Sequence, residues 1–274
     1  MEHIIYFIIV KITYKNGYWY WGAGIYCESS SPNFKNIVIT GNSASDFGAG
    51  IVLNNSSDAI FENVTITDNS ADNEGSALRC SNSDPILKNS IIANNTGDNT
   101  VYISSGSPSI EYSNFYNNTG SNFAGNVNPW LGVNATVNTN GDSCDVFYNI
   151  KMNPLFEDPD NGNYNLTWFN FPIADSTKSP CIDAGDPNSS YDPDNTVRDM
   201  GVYYFDQNQL VANFLVDSTE GYQPFTVNFT DHSTNSDSIT TWEWDFDYNG
   251  TIDSYEQNPS YTYADTGNYS VSLT

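Results

Sequence analysis

Cations are scarce in this chain. Lys+Arg number 8 against 33 Asp+Glu, a formal net charge of -25 over 274 residues. A surface of that sign repels nucleic acid and anionic lipid, so neither is an expected partner, and it suits a cation-rich exterior. A membrane-spanning run is missing as well. The apolar stretch Ile4 to Val10 meets Lys11 after 7 residues, far short of the roughly 20 that cross a bilayer. No positive region precedes it and no small-residue cleavage site follows, so it does not read as a secretory signal. It reads instead as a strand of a preceding coil, in a chain expected to be part of a longer multidomain protein; NYSVSLT at the other end stops in what looks like a domain's final strand. Histidine is nearly absent: His3 lies at the start and His232 in a polar loop, and neither is placed as a catalytic base.

What the chain does have is aromatic side chains, 15% of its residues, enough apolar surface to fold despite the charge. It also repeats. GIYC (Gly24 to Cys27) returns as GIVL (Gly50 to Leu53), ALRC (Ala77 to Cys80) and TVYI (Thr100 to Ile103), at spacings of 26, 27 and 23. A second block keeps step: FKNIVITGN from Phe34, FENVTITDN from Phe61, LKNSIIANN from Leu87 and IEYSNFYNN from Ile110. Two in-register strand patterns in each repeat of about 25 residues is the period of a solenoid coil. The blocks are β-branched or aromatic with Asn, Gly and Ser between them, which points to a parallel β-helix rather than a helical repeat.

Alternation assigns the faces. Ile25, Ile51, Leu78 and Val101 share one inward position; Cys27, Leu53, Cys80 and Ile103 share the next. Cys27 and Cys80 are then two coils apart, roughly 9 to 10 Å at the strand spacing of parallel sheets and beyond disulfide reach, so they read as buried thiols. Between the inward positions lies an outward stripe of Tyr26, Val52, Arg79 and Tyr102. Lys35, Glu62, Lys88 and Glu111 form an outward ladder of alternating sign, and Asn42, Asn69, Asn95 and Asn118 recur at one turn where stacked amides can satisfy one another.

Residues 126 to 150 fit no coil template and read as an irregular coil or a side hairpin. After them NPLFEDPDNGNYNL, SPCIDAGDP and DMGVYYF bring Pro, Asp and Gly punctuation, as expected of a segment that closes a solenoid. The series NPLF, DNGNYNL, SPCIDAGDP and DMG resembles the closing segment of right-handed parallel β-helix surface proteins, the pectate-lyase-like superfamily in the broad sense. That resemblance implies a β-helix over residues 1–207 with its cap at about 150–207. The superfamily includes polysaccharide lyases and hydrolases beside long surface proteins without chemistry, so the fold alone does not choose.

From residue 208 the style changes. FTVNFTD, TTWEWDFD, NPSYTYAD and NYSVSLT are short alternating strands between polar turns, with Trp242, Trp244 and Phe246 on one face. WEWDFD followed by EQNPSYTYADTGNYSVSLT resembles a PKD domain over about 64 residues from Val211. The whole is therefore expected to be all-β: a right-handed parallel β-helix solenoid, then an immunoglobulin-like (PKD) β-sandwich at 208–274.

Three candidate sites follow. Asp245, Asp247, Asn249, Thr251, Asp253 and Glu256 fall at positions 1, 3, 5, 7, 9 and 12 of a loop with Gly250 at 6. This is the ligand spacing of an EF-hand calcium loop. Calcium is thus the candidate cofactor, against the alternative of a solvated Asp/Asn/Gly turn, since no helices flank the loop. A second acidic stretch, Asp186 to Asp199, fits no ligand template. The stripe Tyr26, Arg79, Tyr102, with Tyr18 to Trp21 before it, is the candidate for ligand contact, the rings stacking on sugars along a groove unless a neighbouring loop covers them.

Lyase chemistry needs a cationic base or calcium with grouped carboxylates, and the stripe offers one Arg without them. A hydrolase needs two acids about 5 to 10 Å apart on one face. Glu62 and Glu111 have that separation, but Lys88 lies between them and the alternation already accounts for both. The chain reads as a non-catalytic portion of a secreted or cell-surface protein, serving adhesion, display or contact with a polysaccharide or surface protein. The alternative is the C-terminal portion of a secreted polysaccharide lyase or glycoside hydrolase with the PKD module as accessory.

Overall fold

The computed structural model describes residues 24–235 and 238–274; the apolar run Ile4 to Val10 and the aromatic cluster Tyr18 to Trp21 lie outside them. The chain divides between Phe205 and Asp206 into two compact units.

The first unit is a coil of three main parallel sheets, with a short fourth parallel pair of Ser43–Ala44 and Ser70–Ala71. Strands Ile25–Glu28, Ile51–Asn54, Leu78–Ser81, Asn99–Ser105 and Ser121–Gly125 form one sheet. Asn33–Lys35, Ile60–Glu62, Ile86–Lys88 and Ser109–Glu111 form the second, and Val38–Thr40, Thr65–Thr67, Ile91–Ala93 and Asn114–Tyr116 the third. The register is the one the repeat predicts: Cys27 pairs with Leu53 and Leu53 with Cys80. Both cysteines are buried and free. Ile51, Leu53, Leu78, Phe61, Leu87, Ile66, Ile92 and Phe115 fill the interior from all three sheets. Each such side chain removes apolar area worth about 1.5–3 kcal/mol from water.

The corner between the second and third sheets is a single residue in left-handed conformation: Asn36, Asn63, Asn89 and Tyr112, with φ of 54, 53, 50 and 48°. Asn tolerates this region because its short side chain bonds locally. Tyr112 is the exception, and its ring stacks on Tyr148 at 4.9 Å.

At the turn after the third sheet the asparagine ladder forms. Asn42 Nδ2 donates to Asn69 Oδ1 at 2.9 Å, Asn69 Nδ2 to Asn95 Oδ1 at 3.0 Å and Asn95 Nδ2 to Asn118 Oδ1 at 3.0 Å. Each accepting oxygen also takes the backbone N–H of the asparagine one rung earlier.

Residues 126 to 150 turn out to be both an irregular rung and a side hairpin. Thr136–Val137 and Ser143–Cys144 pair antiparallel, while Phe115 N–H donates to the Ile150 carbonyl and Ile150 N–H to Ser113, continuing the third sheet. Val127 and Leu131 pack against the coil core. The buried Asp145 carboxylate gathers the N–H groups of Gly132, Phe147 and Asn149.

The segment expected to close the solenoid does something else. Residues 151 to 205 lie along its flank and touch every rung: Tyr164 and Val202 pack on Val38, Val202 N–H reaches Thr65 Oγ1, Asp186 N–H reaches Asn89 Oδ1, and Asn114 Nδ2 donates to the Met152 carbonyl. It docks there because the corner asparagines offer side-chain groups to it; Asn63 Nδ2 donates to the carbonyls of Asp199 and Gly201. Gly201 lets the chain approach closely. Its φ is +98°, and a Cβ there would stand 2.7 Å from Ile91 Cδ1. Closure of the coil end falls instead to residues 126 to 150.

The second unit is built from antiparallel pairs. Phe214–Val216, Phe225–Asp231 and Ser260–Tyr263 form one sheet, and Trp244–Asp245 pairs with Ser272–Leu273. Trp244, Phe246, Phe229, Val227 and Tyr263 make its core, with Phe214 meeting Trp244 edge-on at 5.2 Å. Each indole N–H finds a partner: Trp242 Nε1 donates to Asp231 and Trp244 Nε1 to the Glu256 carbonyl. His232 is exposed in a loop.

Candidate functional sites

The outward stripe exists as a row, since Tyr26 pairs with Val52, Val52 with Arg79 and Arg79 with Tyr102. Its members differ in access. Tyr26 is 50% exposed, whereas Val52 is fully buried. The turn before each strand folds over the row. Gly48, at φ +65°, sits so close to Val52 that a Cβ would be 2.1 Å from Cγ2, and Gly75, at φ +70°, would bring one within 2.9 Å of Arg79 Cβ. Phe47 and Glu74, their neighbours, flank the guanidinium: Arg79 Cζ lies 5.1 Å from the Phe47 ring centre and 6.0 Å from that of Tyr102, and its Nε lies 3.8 Å from Glu74 Oε2. Cation–π contact of this kind holds the arginine against its own turns. The covering turns carry a sequence signal that strand periodicity passes over: FGAG and EGSA place a glycine at the same point of successive repeats.

The outward charge ladder is also partly diverted. Lys35 Nζ pairs with Glu62 at 2.5 Å, but Lys88, in register with Glu62 and Glu111, pairs with Asp186 of the flanking segment.

In the second unit the acidic loop leaves the strand Trp244–Asp245 and returns where Ser254 bridges to Trp244. Asp245 is buried and organises it. Its Oδ1 accepts N–H from Asp247 and Asn249, and its Oδ2 accepts that of Gly250 at 2.7 Å. Burial pushes the Asp245 carboxyl up, but these three donors outweigh it and hold it below the usual carboxylate range. Gly250 has φ +85°. Asn249 Oδ1 takes the Thr251 N–H, and Asp253 Oδ2 that of Phe246. Asp245, Asp247 and Asp253 each bring a carboxylate oxygen within 4.8 Å of the others. Glu256 does not join that group: its carbonyl is tied to Trp244 Nε1, and the chain runs on toward the strand Ser260–Tyr263. Three of the four spaced carboxylates therefore converge.

The acidic stretch Asp186 to Asp199 uses its carboxylates to fold the flanking segment. Asp192 bonds Arg198 and the Asp199 N–H. Asp199 takes the N–H groups of Asp183 and Phe205, and Asp194 that of Thr196. Burial pushes Asp192 up to about 6, against the pull of the Asp199 N–H and Arg198. Burial also raises Asp199 well above its ordinary value.

Residues 11–146 match the family model of a right handed beta helix region, and residues 211–274 match that of a PKD domain. The chain is thus a right-handed parallel β-helix followed by a PKD domain, an architecture common in extracellular proteins. Neither the curated proteins nor the solved structures contain a match to it. No helix among the described residues is long and apolar enough to cross a membrane.

Proposed function

We propose that this chain is a non-catalytic portion of a secreted or cell-surface protein, in which a stiff β-helix and a calcium-binding PKD module serve adhesion, display or contact with a polysaccharide or surface protein. The observation that carries this reading is how the coil spends its outward charge. Lys35 is taken by Glu62, Lys88 by Asp186, and Arg79 lies between Phe47 and Tyr102. Groups that a lyase or hydrolase would aim at substrate are here engaged in holding rungs, turns and flank together.

A β-helix joined in sequence to a sandwich module suits spacing and presentation. Tyr26 remains the member of the stripe most open to a partner. Calcium suits the loop at Asp245, Asp247 and Asp253 because three carboxylates and the neighbouring Asn249 and Thr251 oxygens are hard ligands for a hard cation. Screening the protein against a panel of polysaccharides for depolymerisation tests the reading: no product is expected, and cleavage of any substrate replaces it with that of a polysaccharide-degrading enzyme.

A further inference from the structure

A groove runs between the turn that follows the third sheet and the hairpin Phe156–Asp158/Asn163–Leu166 of the flanking segment. Its volume is about 590 Å³, within the range of small-ligand sites. One wall takes one residue from each successive rung: Gly41, Asp68 and Asn94, with φ of 66, 56 and 55°. These backbone positions are locked by the coil, so the Asp68 and Asn94 side chains leave adjacent rungs about 4.8 Å apart, and Gly41 leaves the first rung open. The other wall is Asp160 and Asn161 of the hairpin turn, and the aromatic surface between is Tyr164 and Tyr203.

The Tyr164 ring is fixed on both sides. It meets Phe156 edge-on at 5.3 Å, and its hydroxyl lies 3.1 Å from Thr40 Oγ1. The site is therefore rigid before any ligand arrives, which lowers the entropy cost of binding.

The chemistry of the lining selects among ligands. Planar carboxylate and amide groups on Asp68, Asn94, Asp160 and Asn161 offer paired acceptors and donors to vicinal hydroxyls, and the half-buried Tyr203 ring offers an apolar surface with a polar edge. Among the lining residues there is no Lys, Arg or His, and the acids repel anions.

We propose that this groove is a binding subsite for a neutral oligosaccharide, with the half-buried Tyr203 against a sugar face, the buried Tyr164 supporting the groove from beneath, and Asp68 and Asn94 bonded to hydroxyls. Uronate polymers are disfavoured by charge. The proposal rests on the reading of the chain as a contact protein and gives that contact a place and a ligand class.

The test is titration of the whole chain with neutral gluco-, xylo-, manno- and N-acetylchito-oligosaccharides and, in a separate arm, with oligogalacturonate, followed by calorimetry. Binding of a neutral sugar and not of the uronate is expected, weakened roughly tenfold or more in Tyr203→Ala and in Asp68→Ala. Thermal melting confirms that both variants remain folded; Asp68 is exposed, so Asp68→Ala reads the groove even where Tyr203→Ala disturbs packing. Binding that both folded variants retain removes the groove and leaves the contact reading in place. No binding of any neutral sugar at millimolar concentration, or preference for the uronate, overturns the proposal; depolymerisation of a substrate would instead strike the contact reading.

Discussion

Lys88 abandons the charge ladder of its own sheet. Its ammonium pairs with Asp186 of the flanking segment, and the carboxylate is almost buried while the lysine keeps a quarter of its side chain in solvent. Burial alone would push the Asp186 carboxyl up; Lys88, together with the N–H and side chain of Asn188, outweighs this and holds it below the ordinary value. The pair therefore fastens the flank to the second sheet.

Replacing Lys88 with Met leaves that carboxylate near-buried without its cation. The expected loss is about 1–3 kcal/mol, below that of a fully buried pair because solvent still reaches the lysine. Since the folded value of Asp186 lies below the unfolded one, near 3.8, its contribution is present above that pH and fades as pH falls through the folded value. Urea unfolding of wild type and Lys88→Met should differ at pH 7 and converge in strong acid; a constant difference would deny the pair its role.

Asp192 and Asp199 work in the opposite sense. Their folded values are raised, Asp192 to about 6, so the folded flank binds protons that the unfolded chain binds only nearer 3.8. Stability is expected to rise as pH falls from 7.5 toward 5, then decline in the range where Asp186 and Asp245 are protonated. Calorimetric melting across that range checks it, and Asp192→Asn should flatten the rise. A melting temperature that falls steadily from pH 7.5 to 5 would refute it.

Asn69 sits at the middle of the amide ladder with no solvent exposure. Its Nδ2 reaches the Ile39 and Thr67 carbonyls as well as Asn95, and its Oδ1 accepts two bonds from Asn42. Asn69→Ala strands buried donors and acceptors on both neighbouring rungs, and about 2–4 kcal/mol is the expected cost. Asn118→Ala, at the wetter end of the ladder, should cost less. Equal losses at the two positions would show that the ladder is not cooperative.

How much of this was legible in the sequence depended on range. Interior positions such as Ile51, Leu78 and Cys80, and the Asn42 to Asn118 row, follow from repeat spacing because each rung copies the last. The PKD core around Trp244 was equally readable. The flank was not: Lys88 meeting Asp186, or Gly201 meeting Ile91, joins segments far apart in the chain with no period to connect them. The Arg79 stripe was legible as a row but not in its access, since alternation tells which way a side chain leaves the strand and is silent on what the preceding turn lays over it. In the acidic loop the spacing located Asp245, Asp247 and Asp253, while Glu256 is drawn off by Trp244.

The calcium site proposed for that loop assigns different roles to two carboxylates. Asp247 is exposed and its carboxylate lies within 4.8 Å of the other two; millimolar calcium is expected to raise the wild-type melting temperature, and Asp247→Ala should abolish that shift while leaving the calcium-free melting temperature nearly unchanged. Asp245→Ala should lower stability with or without calcium, because three backbone N–H groups lose their acceptor. Absence of a shift in the wild type removes the calcium site.

Between side chains the asparagine row runs one way, Asn42, Asn69 and Asn95 each donating to the next asparagine, and the Oδ1 of Asn42 is buried and accepts no bond from the described residues. The side-chain bonds of the row thus share one sense from Asn42 to Asn118. A length of chain cut from one such asparagine to the next carries one donor and one acceptor of matching sense, so duplicating it lengthens the rod by a rung without leaving an orphan. Inserting half a repeat reverses nothing and matches nothing. Growth of such a protein is therefore quantised: its reach changes in steps of one whole coil.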